Sequence, residues 1–172
     1  MSTLKEYTRA KHDQIENAPL SKLIMNKAIN KTQWDMLVTQ KAVVYAAIES
    51  RILMPDWVLL ADSVFKDAPK QQTILISTHR YIEHLAKLSN KLVAAHVYVH
   101  YMGEMFGGQV LKKRIPHNNT THMDIDSKTE AVAWIRELIH DRHEELKDEA
   151  NLAFDLMMDI HNEIFSLTTA NG

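Results

Sequence analysis

The sequence contains no cysteine, only four glycines and four prolines, and none of the apolar runs of about 18 residues that cross a membrane as a helix. The lack of cysteine excludes disulfides, cysteine-ligated zinc and iron–sulfur clusters. The 20 basic and 22 acidic residues give a formal charge of −2, so nothing indicates nucleic acid or an anionic membrane as a partner. The first residues lack the charged-then-apolar pattern of a signal peptide, and we therefore expect a cytoplasmic protein.

Helical periodicity dominates the 172 residues, of which 45% are hydrophobic. The prolines stand where that periodicity lapses, and the segments between them lack the two-residue alternation of strands. A chain of this length has the size of one ordinary domain. We therefore predict an all-α fold in which residues 1–172 form a single-domain helical bundle.

Capping residues and prolines indicate where most of the helices begin. Thr3 is a candidate N-cap for a helix over residues 3–16, and Pro19 fits the first turn of a short helix. Ser127 and Glu130 have the spacing of a capping box at the start of a helix that continues to residue 167. The other long predicted helices cover residues 32–53, with Thr32 as the cap, 71–88 and 91–114.

Three of the four glycines, Gly103, Gly107 and Gly108, lie inside one predicted helix, in the segment YMGEMFGGQVLKK at residues 101–113. Each glycine in a helix interior costs about 0.5–1 kcal/mol relative to alanine. Close packing against another helix is one explanation, because Gly103 and Gly107 share a face. The other explanation is a flat ligand such as haem lying against the backbone, with the carboxylate of Glu104 facing it. The residues alone leave both explanations open.

A ligand of that kind needs an iron ligand from another helix, and His12 is the best-placed candidate. It lies on the side of the first predicted helix that carries the apolar residues Leu4 and Ile15. Glu16 follows four residues later, which is close enough to restrain the imidazole.

The segment around His12, LKEYTRAKHDQIEN at residues 4–17, and the glycine segment AHVYVHYMGEMFGGQVLKK at residues 95–113 resemble the proximal and distal helix signatures of the haem oxygenase family. The resemblance implies a bundle of the haem oxygenase type, with haem between a proximal helix and a kinked distal helix. It makes His12 the axial ligand of the haem iron and Glu16 its acidic neighbour. The residues that it implies for the haem propionates and the pocket are Lys5, Tyr98, Phe154 and, on a late helix, Arg136 and His140.

The chain departs from the family pattern in the distal segment. It has Glu104 where the family usually has aspartate, His100 where the family has arginine, and Phe106 where the family has a small residue. The resemblance implies that Glu104 orients a water beside the bound oxygen and relays protons to it. It also implies that the distal glycines bring the backbone close to the ligand. The catalytic residues on this interpretation are Glu104, His100, Gly103, Gly107 and Gly108.

Members of that family use haem as substrate and cofactor and cleave it with O₂ and electrons to biliverdin, carbon monoxide and ferrous iron. We expect biliverdin IX-alpha, with the cleaved carbon selected by the propionate contacts. Because the chain has no flavin or nicotinamide fingerprint, the electrons must come from an external reductant, and we expect a ferredoxin. The cations expected to dock it are Lys112, Lys113 and Arg114, and a bilin reductase is the expected downstream partner.

Two other functions remain as alternatives. A di-iron carboxylate oxidase of a related helical fold would use His/Glu pairs at helical spacing, such as His79 with Glu83, His140 with Glu144, or Glu137 with His140. A non-catalytic haem carrier or sensor would bind haem without cleaving it, and the departures at Glu104 and His100 leave this alternative open.

Overall fold

The computed structural model describes residues 2–169, and the all-α prediction is confirmed over that range. None of its helices combines the length and the apolar character that crossing a membrane requires. The α-helices of the described residues are α1 Leu4–Tyr7, α2 Arg9–Glu16, α3 Pro19–Met25, α4 Lys31–Glu49, α5 Ala61–Asp67, α6 Ile76–Lys87, α7 Asn90–Lys112, α8 Lys128–Leu138 and α9 His143–Thr169. A short 3₁₀-helix, Thr121–Met123, precedes α8.

The first predicted helix begins as expected but is two helices in the structure. Thr3 caps α1 in a capping box with Glu6, and Pro19 occupies the first turn of α3, so both predictions are confirmed. Thr8 separates α1 from α2, because its backbone leaves helical geometry and its hydroxyl donates to the Leu4 carbonyl at 2.7 Å.

The predicted limits of α4 and α6 are wrong at three places. Asn30, not Thr32, caps α4, because its side chain accepts the Gln33 N–H at 2.8 Å while the Gln33 side chain accepts the Asn30 N–H. The helix ends at Glu49 rather than residue 53. Helix α6 begins at residue 76 rather than 71. The Gln40 side chain holds residues 73–75 away from helical geometry by accepting the Leu75 N–H and donating to the Thr73 carbonyl.

The last predicted helix is also divided. Asp141 adopts a left-handed conformation with φ of 58° and separates α8 from α9. Ser127 precedes α8, but its hydroxyl donates to the Trp57 carbonyl at 2.9 Å and makes no capping bond. The predicted capping box is therefore wrong, although α8 begins at the expected residue.

Helix α9 is central to the packing, because α1, α2, α3, α4, α6 and α7 all contact it. Ala94 and Ala95 of α7 and Ala150 and Ala153 of α9 belong to one buried cluster, and their small side chains let the two helices approach closely. The larger hydrophobic core lies among α3 to α9. Helix α9 thus connects α2, which carries His12, with α7, which carries the glycines.

Candidate functional site

The glycines of α7 do not all face packed structure. A Cβ atom added at Gly103 would meet nothing within 4 Å, and one added at Gly107 would meet only the Leu111 side chain at 4.0 Å. A Cβ at Gly108 would lie 3.6 Å from the Met123 carbonyl oxygen. Gly108 therefore packs against the 3₁₀-helix at ordinary contact distance, whereas Gly103 and Gly107, the pair that shares a face, border open space. Packing does not require glycine at any of the three positions. Helix α7 is continuous across all three, and the kink stays a prediction.

His12 presents an exposed imidazole on α2, with 54% of its side chain accessible. Its Nδ1 lies 3.5 Å from Oε1 of Glu16, as the spacing in the helix predicts. The buried Phe154 of α9 meets the His12 ring edge-to-face at 5.9 Å between centroids. Within residues 2–169 the Nε2 atom has no hydrogen-bond or ion-pair partner. Phe154 and Glu16 therefore surround the ring while Nε2 remains free for a ligand.

Glu104 reaches into the interior from the turn of α7 that carries the glycines. Its Oε1 lies 2.6 Å from Nζ of Lys41 and accepts a hydrogen bond from the Tyr45 hydroxyl at 2.7 Å. Only 9% of the Glu104 side chain and 16% of the Lys41 side chain are exposed. Two donors on Oε1 leave Oε2 as the oxygen of Glu104 that is available to a water or ligand.

The charges around Glu104 decide its ionisation. Burial acts to raise the pKa of Glu104, but the Lys41 charge and the hydrogen bonds from Lys41 and Tyr45 outweigh it, and the pKa lies below its usual value. The same contact with Glu104, added to burial, raises the pKa of Tyr45 well above its usual value. At neutral pH the pair is therefore a carboxylate accepting from a neutral phenol.

Lys41 also connects Glu104 to a second buried carboxylate. Its Nζ lies 3.0 Å from Nε2 of His122, and His122 Nδ1 lies 2.7 Å from Oδ2 of Asp67. Because an ammonium group only donates, Nε2 of His122 accepts and Nδ1–H donates to Asp67. Asp67 also accepts the Thr121 hydroxyl, and its pKa is lowered because these hydrogen bonds outweigh the effect of burial. The result is a continuous hydrogen-bonded row, Glu104–Lys41–His122–Asp67, in which a neutral imidazole separates the Lys41 ammonium from the Asp67 carboxylate.

His100 lies on the buried side of α7 and does not border the open face directly. Its Nε2 lies 2.8 Å from the Tyr81 hydroxyl, and its ring meets the Tyr45 ring at 5.6 Å. Burial lowers the pKa of His100 to about 3, so the imidazole is neutral at physiological pH. It therefore cannot supply the positive charge of the arginine that the family usually has at this position, but it contacts Tyr45, the donor to Glu104.

The residues expected to contact propionates lie on α1, on α7, on α8 and beyond the end of α8. Lys5 of α1 is exposed, and Tyr98 is half-buried beside Thr8, with burial raising its pKa. Arg136 of α8 lies over the exposed ring of Phe106 at 6.0 Å. His140 is exposed beyond the end of α8, 3.2 Å from the Asp141 carboxylate.

Two of the three cations predicted to dock a reductant already have partners. Lys112 forms an ion pair with Asp124 at 2.5 Å, and Arg114 donates to the Met25 carbonyl at 3.1 Å. Lys113 is exposed. Its side chain is the part of this cluster that stays fully accessible to another protein.

The residue pairs named for a di-iron site do not form one. His79, Glu83, Glu137, His140 and Glu144 are all exposed on the outer faces of α6, α8 and α9 or beyond the end of α8. A di-iron site needs carboxylates and histidines that project inward from facing helices. The distribution of these residues therefore argues against the di-iron alternative.

Sequence reasoning missed the partners of Glu104. Lys41, Tyr45 and Asp67 come from α4 and α5, far from α7 in the sequence, and His122 comes from the 3₁₀-helix that follows α7. One signal was present: Lys41 stands between Val38 and Tyr45 in an otherwise apolar stripe of α4, and a lysine in such a stripe needs a buried partner. The carboxylate that pairs with it was not readable from α4.

The residues present fit a planar iron-containing ring. Open space borders the backbone at Gly103, a free imidazole Nε2 is available on α2, and a buried carboxylate lies beside the glycines. Helix α9 packs against both α2 and α7, and its Phe154 contacts His12. The donor set is one imidazole on α2 and a carboxylate on α7, which suits haem iron.

A family profile, curated relatives and solved structures all resemble this chain in sequence or in fold. The sequence profile of the family described as heme oxygenase matches residues 59–163. Heme oxygenase 1 of the cyanobacterium Synechocystis is 24% identical, over 95% of this chain and 83% of its own length, and heme oxygenase 1 of Bos taurus is 26% identical, over 96% and 71%. The crystal structure of Synechocystis heme oxygenase-1 in complex with heme superposes with a TM-score of 0.82 at 25% identity, covering 94% of this chain and 90% of that one. Synechocystis heme oxygenase-2 in complex with heme and NO has the same fold, with a TM-score of 0.84 at 20% identity over 98% and 86% of the two chains.

Proposed function

This chain belongs to the haem oxygenase family, and on that premise we propose that it cleaves haem at the open face of α7, with His12 as the iron ligand and Glu104 as the proton-relaying carboxylate. The family's reaction converts haem, O₂ and electrons to biliverdin, carbon monoxide and ferrous iron. The observation that carries the assignment of the site is the buried Glu104 carboxylate, which Lys41 and Tyr45 hold through Oε1. Its Oε2 lies 4.0 Å from the position of a Cβ at Gly108, in the same part of α7 as the uncovered backbone at Gly103 and Gly107.

His12 binds the substrate iron through Nε2. The Glu16 carboxylate near Nδ1 and the Phe154 ring against the imidazole limit its rotation, so the ligand is oriented before haem arrives. Bound haem supplies the iron at which O₂ is activated and the ring carbon that is oxidised. A neutral imidazole, unlike a thiolate, does not push electron density strongly toward O–O cleavage.

Glu104 holds and moves protons on the opposite side. With Oε1 occupied by Lys41 and Tyr45, its Oε2 accepts from a water, and that water donates toward the open face. Lys41 keeps Glu104 ionised between turnovers, so the carboxylate can accept a proton and return it through that water to the substrate at the open face. The lack of a side chain at Gly103 and Gly107 leaves room for the substrate against the backbone.

Cations and one phenol position the substrate ring. Lys5 and Tyr98 lie on the side of α1, and Arg136 lies beside Phe106 on the side of α8, so each can pair with a propionate. His140, at the end of α8, is a weaker partner because Asp141 already contacts it. These contacts select the α-meso carbon and hence biliverdin IX-alpha, which a bilin reductase then consumes.

An external ferredoxin supplies the electrons. The exposed Lys113, flanked by Lys112 and Arg114, offers an acidic donor a positively charged contact at the end of α7. Such a contact is weakened by salt, so the rate of reduction by ferredoxin falls with ionic strength, while reduction by a small neutral reductant does not.

Turnover of haemin tests the proposed function. The protein is loaded with haemin and given a ferredoxin reducing system in air, and absorbance is followed. We expect the Soret band to disappear while green bilin absorbance rises. The Glu104→Gln variant, which still accepts hydrogen bonds but carries no charge, is expected to bind haemin and yield less bilin. A persistent Soret band in the native protein would contradict the proposal and identify a haem carrier or sensor.

A further inference from the structure

Outside the site described above, three side chains from three helices meet at one point. Nε2 of His84 on α6 lies 2.5 Å from Oε1 of Glu149 on α9, and Nε2 of His96 on α7 lies 2.7 Å from the same oxygen. The three atoms all lie within 4.8 Å of one another. None of these residues has a part in the proposed haem chemistry.

The cluster is closed on one side and open on the other. His96 is fully buried, 11% of the Glu149 side chain is exposed, and 30% of the His84 side chain is exposed. Oε2 of Glu149 makes no hydrogen bond within the described part of the chain. An ion with bonds of about 2.0 Å needs its ligand atoms about 3.3 Å apart. A small outward rotation of the accessible His84 supplies that spacing to Glu149, and a turn of the Glu149 carboxylate, whose Oε2 makes no hydrogen bond within residues 2–169, supplies it to His96.

Tyr81 fixes the buried imidazole from behind. Its hydroxyl lies 2.5 Å from Nδ1 of His96, and the Tyr81 side chain is fully buried. Metal-binding histidines usually have their second ring nitrogen held by such a partner, which orients the ring. Burial also lowers the pKa of His96, against the opposing effect of Glu149, so the imidazole is in the neutral form that binds metals.

We propose that His84, His96 and Glu149 bind one divalent first-row transition ion through two imidazole nitrogens and one carboxylate. Two histidines and one carboxylate with open positions suit ions of the zinc and ferrous iron class. Water fills the open positions on the side of His84. Ferrous iron, which the family's reaction releases, belongs to this class, but the site is a property of the folded chain and does not depend on haem cleavage.

Binding reverses a row of hydrogen bonds that ends at His100. Without the ion, Nε2 of His96 carries the ring hydrogen and donates it to Glu149, because a carboxylate only accepts, and Nδ1 of His96 accepts from Tyr81. Tyr81 has one hydrogen, so Nε2 of His100 must donate to it. An ion on Nε2 of His96 moves the hydrogen of His96 to its own Nδ1, which then donates to the Tyr81 oxygen. Tyr81 in turn donates to Nε2 of His100, and the hydrogen of His100 moves to Nδ1 of His100. The number of protons is unchanged.

The test uses haem-free protein and Zn²⁺ as the probe. Calorimetric titration is compared among the native protein, Glu149→Gln, His84→Ala and His79→Ala. Glu149→Gln is the sharpest variant, because an amide oxygen still accepts from both imidazoles but is a poor ligand for a transition ion. His79 is exposed on the same helix as His84, and His79→Ala is therefore the matched control. Ring ¹⁵N–¹H spectra identify the nitrogen that coordinates.

We expect one Zn²⁺ to bind the native protein and His79→Ala with equal affinity, and Glu149→Gln and His84→Ala to bind about tenfold or more weakly. The Nε2 signals of His84 and His96 should shift on binding, and the hydrogen of His100 should move to Nδ1. Equal Zn²⁺ affinity in Glu149→Gln and native protein would overturn the proposal, as would ring spectra of His84 and His96 that Zn²⁺ leaves unchanged. The haemin turnover assay is run separately, so its failure does not affect this result.

Discussion

Lys41 is the residue that makes a glutamate suitable at position 104. The longer side chain of Glu104 reaches the Lys41 ammonium and the Tyr45 hydroxyl, both on α4, and these contacts keep its pKa below the usual value in spite of burial. A glutamate without them would be protonated more readily. Lys41 therefore determines whether Glu104 is available as a proton acceptor.

Replacing Lys41 with methionine tests this dependence. Lys41→Met leaves a buried carboxylate without its counter-charge, so we expect the free energy of unfolding at pH 7 to fall by about 3 kcal/mol in urea denaturation and the pKa of Glu104 to rise. The double variant Lys41→Met with Glu104→Gln removes both charges and should recover at least half of that loss, without recovering bilin formation. Equal losses in the single and double variants would show that the ion pair does not hold Glu104.

Among single residues, the sequence indicated the candidates that stand in a motif and missed the residues that contact them from other helices. His12 and Glu104 stand in segments with recognisable spacing, so the sequence alone indicates them as candidates. Lys41 and His122 act only through contacts between α4, α7 and the 3₁₀-helix, and such contacts depend on how the helices pack. Thr32 was predicted as the cap of α4 in place of Asn30, because both are good N-cap residues and the sequence does not distinguish them.

Among the helices, α7 has the most unusual surface, because Gly103 and Gly107 leave part of its backbone uncovered. A helix stabilised only by packing would gain from side chains at these positions. Glycine at these positions instead lowers the stability of the helix, and the uncovered backbone is consistent with a ligand that lies against it.

Gly103→Ala separates these effects. The added Cβ meets nothing within 4 Å, so the haem-free protein should become more stable by about 0.5–1 kcal/mol in urea denaturation. The same methyl group occupies space assigned to haem, and overpacking of about 1–3 kcal/mol should weaken haemin binding by about tenfold or more. Gly108→Ala, at a site that already contacts Met123, is the matched comparison. Unchanged haemin affinity in Gly103→Ala would mean that the substrate lies elsewhere.

The positions of the helices were more predictable than their ends. Apolar periodicity located the long helices approximately, and Thr3 and Pro19 gave two correct starts. It did not predict α5, and it joined α1 to α2 and α8 to α9. The break at Asp141 was missed because aspartate does not mark a left-handed residue as reliably as glycine does. Ser127 failed as a cap because its hydroxyl bonds to Trp57, which lies far away in the sequence.

The molecule as a whole buries several neutral histidines, and this makes it sensitive to acid. Burial lowers the pKa of His100 to about 3 and that of His161 to about 4, and Nδ1 of His161 is buried without a partner among the described residues. Between these values and about 6.5, the unfolded chain binds a proton at each site that the folded chain does not bind. The free energy of unfolding should therefore fall as the pH falls from about 6.5 toward 3.

His161→Phe is expected to reduce this acid sensitivity. Each unit by which folding lowers the pKa of a histidine reduces the free energy of unfolding by about 1.4 kcal/mol when the pH falls from above the unfolded pKa to below the folded pKa. Phenylalanine removes the contribution of His161 and fills similar space. Urea denaturation at several pH values from 7 to 4 measures the slope. His79 is exposed, so His79→Gln should keep the native dependence of the free energy of unfolding on pH. The same dependence in His161→Phe would contradict a contribution of His161 to the acid sensitivity.

The whole molecule joins the two sides of the proposed haem site through α9, which packs against α2 and α7 and places Phe154 against His12. The central claim is that haem is held between these helices on the His12 nitrogen. The most direct test is the ferric haem spectrum, by absorption and electron paramagnetic resonance, of the native protein and of His12→Ala with and without added imidazole. We predict an axial histidine signature that is lost in His12→Ala and restored by imidazole, whereas an unchanged spectrum in His12→Ala would contradict the account.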